Sequence, residues 1–164
     1  MDETELLPFQ IDREITILKD CKCISCSIYH RREAAFVLGE EGGSRAVKPL
    51  IRALRDEDSR VRLQVVGALG KLEDPRSIKP LIKAMRDSDN AVRTAVFEVL
   101  GKSGDRRVVK PLIRALRRMN NAAKALGHLG DSRAVKPLIK ALKYRGLASD
   151  AAWALGQIAD PRAL

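Results

Sequence analysis

Three cysteines and a histidine cluster near the start of the chain: Cys21, Cys23, Cys26 and His30, in the pattern C-x-C-x2-C-x3-H. Three thiolates and one imidazole are a donor set suited to a tetrahedral zinc ion or another thiophilic metal. Their spacing is tighter than that of the common paired-knuckle motifs. Free, partly buried thiols or an opportunistic disulfide would account for the cysteines without a metal. His30 matches Val61 and Val92 of later segments in position, so its side chain is expected to be buried. Beyond zinc, these residue types suggest no cofactor.

A second set of residues could bind rather than react. Lys48, Arg52 and Arg55 are spaced four and three apart, which places them on one face of a helix. The same columns recur as Lys79, Lys83, Arg86, as Lys110, Arg114, Arg117, and as Lys136, Lys140, Lys143. Twelve aligned cations would attract nucleic acid, acidic proteins or anionic headgroups. Aromatic residues make up only 4% of the chain, so stacking platforms for bases are scarce and sequence-specific readout is not expected. The simpler reading is a solvated face, with Asp56, Asp58, Asp87 and Asp89 at the turns offsetting part of the charge.

The elements that must position these residues follow from a repeat. Val47-Lys48-Pro49-Leu50 returns as Ile78-Lys79-Pro80-Leu81, Val109-Lys110-Pro111-Leu112 and Val135-Lys136-Pro137-Leu138, with prolines 31, 31 and 26 residues apart. A fixed period near this length marks stacked helix pairs that cannot bury their apolar faces singly. Aligned on the prolines, the units fall at roughly 43–73, 74–104, 105–130 and 131–159. In the best-formed unit Asp74 is placed to cap a first turn, and a 3₁₀ turn is expected over Arg76–Ile78. Proline suits the first turn of a helix, so the α-helix should start near Pro80. Leu81, Ile82 and Met85 form its apolar stripe. Asp87-Ser88-Asp89 should end it, with Ser88 or Asp89 capping a second helix that Gly101 and Gly104 close.

These motifs resemble the HEAT-like repeat of the phycobilisome-lyase type, whose pattern is D-x-R-A-V-x-P-L-I-x-A-L-x-D-x-D-x-x-V-R-x-x-A-A-x-A-L-G. The resemblance covers about residues 43–164 and loosely 11–42. It implies an all-α fold, a right-handed α-α superhelix of the HEAT or armadillo type with about five helix-pair repeats. Residues 1–42 would be a degenerate N-terminal repeat with an acidic cap and a Cys-rich turn. Residues 43–164 would be four repeats plus a truncated C-terminal piece, all in one continuous solenoid. In such solenoids the second helices usually line the concave face.

For function, the resemblance implies a non-catalytic protein-interaction scaffold. It also leaves open a bilin-lyase-type enzyme or accessory subunit, and a polyanion- or nucleic-acid-binding module using the basic columns. The His-Glu pairs of hydroxylase relatives are absent, since His30 precedes Arg31 and His128 precedes Leu129. Glycosylase relatives need a carboxylate among aromatics, and Glu98 is expected to be the only acid inside a full second helix. No catalytic residue is named.

Departures from the pattern are informative. The third full unit loses five residues and reads Arg117-Arg118-Met119-Asn120-Asn121 where its neighbours have Asp-x-Asp and a Val-Arg pair. Its second helix should be short and start near Asn120 or Asn121. Position matching places Phe36, Gly67, Glu98, Lys124 and Trp153 in one column of the second helices. Variation inside a constant scaffold suggests a partner-reading column, with the two aromatics as interface anchors. The chain stops inside a repeat at Leu164, so either another chain covers this end or the sequence is a fragment.

Charge is divided unevenly. Residues 1–43 hold nine acids against five Lys/Arg, and residues 44–164 hold twelve against twenty-six. Asp2, Glu3 and Glu5 make the N-terminus unlike a signal peptide, and no apolar run approaches a membrane span. Three clustered cysteines are no secreted disulfide framework, so a cytoplasmic chain with no membrane partner is expected.

Overall fold

The computed structural model describes residues 8–20 and 27–158. Those residues form ten α-helices and three 3₁₀ turns, with no strand among them. The helices are α1 (Pro8–Asp20), α2 (Ser27–Glu41), α3 (Gly43–Ala53), α4 (Ser59–Leu72), α5 (Ile78–Ala84), α6 (Asn90–Lys102), α7 (Val109–Ala115), α8 (Asn121–Leu129), α9 (Val135–Ala141) and α10 (Ala148–Ile158). The chain falls into two compact units, Met1–Ala95 and Val96–Leu164, and α6 runs from the first into the second.

Repetition in sequence becomes repetition of local chemistry. Asp74, Asp105 and Asp131 each precede a 3₁₀ turn (Pro75–Ser77, Arg106–Val108 and Ser132–Ala134) and accept a hydrogen bond from the amide two residues on. The arginine at that position folds back onto the same carboxylate, as Arg76 Nε does onto Asp74 Oδ1 at 2.8 Å. The guanidinium bond holds each carboxyl down against the opposing effect of burial; Asp74 and Asp105 lie below the ordinary range, and Asp131 falls to about 2. The expected 3₁₀ turn is thus present one residue earlier, over Pro75–Ser77. The proline of the repeated tetrad is the third residue of α5, α7 and α9, where its missing N–H costs no helical bond. In α3 the helix begins earlier, at Gly43, and Pro49 lies inside it.

Asp89 caps α6, accepting from the amides of Ala91 (2.8 Å) and Val92 (3.1 Å). The second helix of the shortened unit is indeed short, α8 having nine residues from Asn121. Gly101 is a correction: it does not close α6 but lies inside it, buried. A Cβ there would stand 2.9 Å from Ala125 Cα, so glycine is required by close helix approach. Gly39 against Ala68 and Gly127 against Ala154 repeat this contact.

The first unit's core holds Leu38, Val47, Leu50, Val61, Val65, Leu69 and Leu81, and the second unit's holds Phe97, Leu100, Leu112, Leu126 and Leu138, all essentially solvent-free. Each such side chain contributes about 1.5–3 kcal/mol, which makes contacts between repeats the main source of stability.

Candidate functional site

Two turn aspartates, Asp56 and Asp87, are engaged by arginines of the preceding repeat. Arg31 Nε donates to Asp56 Oδ2 at 2.8 Å, and Arg62 Nε to Asp87 Oδ2 at 2.8 Å. Each arginine sits on a second helix, and each aspartate lies 25 residues on, in the following repeat. Arg62 also donates to the backbone carbonyls of Asp56 (2.8 Å) and Glu57 (3.1 Å). Arg93 bonds the carbonyls of Asp87 and Ser88 in the same way. The residue matching Asp56 and Asp87 in the next unit is Arg118, a cation that cannot accept a bond from a guanidinium.

In the first unit Lys48, Arg52, Arg55, Lys79, Lys83 and Arg86 are all exposed, as are Lys110, Arg114, Arg117, Lys136, Lys140 and Lys143 in the second. Among the described residues none of these twelve forms an ion pair; the pairs belong to other cations. The turn acids expected to offset the columns do not do so by contact. Asp56 and Asp87 face buried arginines, Asp58 holds Arg60 at 2.7 Å, and Asp89 caps α6.

The second-helix column is exposed at every position: Phe36, Gly67, Glu98, Lys124 and Trp153. Phe36 (44% exposed) carries the Lys71 ammonium over its ring at 5.2 Å from the centroid, and that ammonium also pairs with Glu40. Tyr29, Arg32, Glu33, Phe36 and Gln64 line a small groove of about 240 Å³. In the second unit Lys124 Nζ lies 3.5 Å from Asp150 Oδ1. Trp153 (41% exposed) packs edge-on against His128, with ring centroids 5.1 Å apart. Asp150 lies inside α10, so Glu98 is not the only acid within a second helix.

Cys21, Cys23 and Cys26 lie outside the described residues. Contrary to expectation His30 is exposed, its ring edge-on to Tyr29 at 5.8 Å, although Val61 and Val92 at the matching positions are buried. An imidazole without a buried partner keeps its nitrogens in water, where valine does not need to. Among the described residues no group of three or more His, Cys, Asp or Glu could hold a metal, and no helix is long and apolar enough to cross a membrane.

Comparison with known proteins adds to this geometry. The family model described as HEAT repeats matches residues 21–95 and 72–121, and that of the PBS lyase HEAT-like repeat matches 120–144 and 147–164. The change from one to the other falls at the shortened unit. A crystal structure of an engineered protein from a structural genomics consortium is similar in fold, with a TM-score of 0.56 at 20% identity over 91% of this chain and 79% of that one. No curated protein matches the chain.

Proposed function

The chain belongs to the HEAT-repeat family, and from that premise we propose that it is a non-catalytic scaffold that binds another protein through its second helices. The supporting observation is that the matched second-helix positions are exposed within each unit, Phe36 in the first and Glu98, Lys124 and Trp153 in the second, each bordered on its own helix by buried apolar positions. Large aromatic rings held at a surface by a rigid frame make efficient interface anchors. The basic first-helix columns contribute by steering an acidic partner toward the scaffold.

An affinity pull-down with mass spectrometry tests this reading. Wild-type chain should recover a partner that Phe36→Ala or Trp153→Ala loses, and recovery unchanged by both variants would remove the second-helix surface from consideration. Trp153 is the chain's single tryptophan, so partner binding there should also shift its emission.

The twelve cations, which form no ion pair among the described residues, favour a second reading, a polyanion-binding module. Its affinity for nucleic acid should fall steeply with salt through counterion release, and a gel shift that stays flat from low to moderate salt would argue against it.

A further inference from the structure

The first unit contains a groove of about 630 Å³ between α3 and α5. Its apolar lining is Ile51 and Leu54 from the α3 side, and Pro80 and Ala84 from α5, all half-buried. Five exposed cations border the same groove: Arg52 and Arg55 on one wall, Lys79, Lys83 and Arg86 on the other. None of the five has an ion-pair partner among the described residues. One acid, Asp87, reaches the lining, but Arg62 holds both of its carboxylate oxygens at 2.8 Å. The groove therefore presents an apolar strip between two cationic walls, with its own carboxylate already engaged.

We propose that this groove seats an acidic amphipathic segment of a partner protein, its apolar side chains on the Ile51–Leu54–Pro80–Ala84 strip and its carboxylates against the flanking lysines and arginines. The inference rests on the reading that the partner is a protein, and it adds a second surface with a defined chemistry. Charge complementarity selects the class of ligand. The apolar strip separates this class from nucleic acid, because a phosphodiester backbone gains nothing by covering it, and among the described residues no aromatic side chain lines the groove to stack a base. On the walls, Lys79, Lys83 and Arg86 repeat at close to one helical turn, as do Arg52 and Arg55. A short helix laid in the groove would match that spacing with acids on both of its flanks.

The test uses the full chain and a fluorescein-labelled, helix-forming peptide of about twelve residues, with leucine on one face and glutamate on both flanks. A peptide of equal charge with serine replacing leucine, and a single-stranded oligonucleotide, serve as the other probes in fluorescence anisotropy. The leucine peptide should bind at least about tenfold more tightly than the serine peptide. Lys79→Glu with Lys83→Glu should weaken it by about tenfold or more, whereas Lys136→Glu with Lys140→Glu, an equal charge change in the second unit, should weaken it by less than about threefold. Ala84→Glu, which narrows the strip while remaining compatible with a helix, should also abolish binding; circular dichroism confirms that each variant is folded. Equal affinity for the two peptides, or equal losses from the two charge-reversed pairs, would overturn the proposal, as would tighter binding of the oligonucleotide. If the pull-down recovers a partner whose capture is unaffected by both Lys79→Glu with Lys83→Glu and Ala84→Glu, the groove is refuted while the scaffold stands.

Discussion

Arg62 offers the sharpest test of how the repeats are held. Its guanidinium makes a two-pronged contact with Asp87 at 2.8 Å on each prong and also bonds the Asp56 and Glu57 carbonyls, with both side chains about 10% exposed. In Arg62→Met, the Asp87 carboxylate keeps a bond from the amide of Asp89 and the more distant charge of Arg93 but loses its paired guanidinium, and two turn carbonyls lose a donor. Removing one partner of a buried pair costs about 3–5 kcal/mol, because the other charge is left desolvated. For a chain of this size each kcal/mol shifts Tm by about 2–4 °C, so a fall of roughly 6–20 °C is expected. Adding Asp87→Leu should recover most of the loss, since an apolar pair of similar volume needs no counter-charge. Arg60→Met is the comparison: its ion pair with Asp58 is equally short, but Arg60 is 63% exposed and screened by water, so its loss should leave stability nearly unchanged. Thermal and urea unfolding followed by far-UV circular dichroism read all of these. If Arg62→Met costs no more than Arg60→Met, the pair does not staple the repeats and the argument fails.

Three further outcomes follow from the same packing. Gly39→Ala would put a Cβ 2.7 Å from that of Ala68 and should destabilise by about 1–3 kcal/mol, while Gly67→Ala meets nothing within 4 Å on an exposed helical position and should stabilise by about 0.5–1 kcal/mol; thermal melts of the two variants should move in opposite directions. Ser77 buries a hydroxyl with no hydrogen-bond partner where the matching residues are Ala46, Val108 and Ala134, so Ser77→Ala should raise the urea midpoint by the equivalent of about 1 kcal/mol. Asp58, Asp74, Asp87, Asp105 and Asp131 all lie below the ordinary carboxylate range, so the stability they supply is fully present above the unfolded value of about 3.9 and is lost as pH falls through the folded one. For Asp131 that window closes at about 2. Urea midpoints should hold from mild acid down to about pH 4 and then drop, and Asp131→Asn should flatten part of the drop.

The sequence alone determined what is local and repeated. The spacing of the prolines, the aspartates two residues before arginine and the apolar stripes set each helix pair, because capping and the helical period act within a few residues. Even the weak α8 was legible, since the deletion before Asn121 left too few residues for a longer helix. Partnerships across repeats were not legible. Asp56 and Asp87 looked like solvent-facing acids, yet each meets an arginine 25 residues away. Gly101 looked like a helix end, yet its role is set by Ala125 on another helix. His30 looked buried by register, yet it stays exposed. The apolar strip between the cationic walls of α3 and α5 exists only because two helices stand side by side. Such features depend on which surfaces stacking brings into contact, and only the tertiary structure decides that.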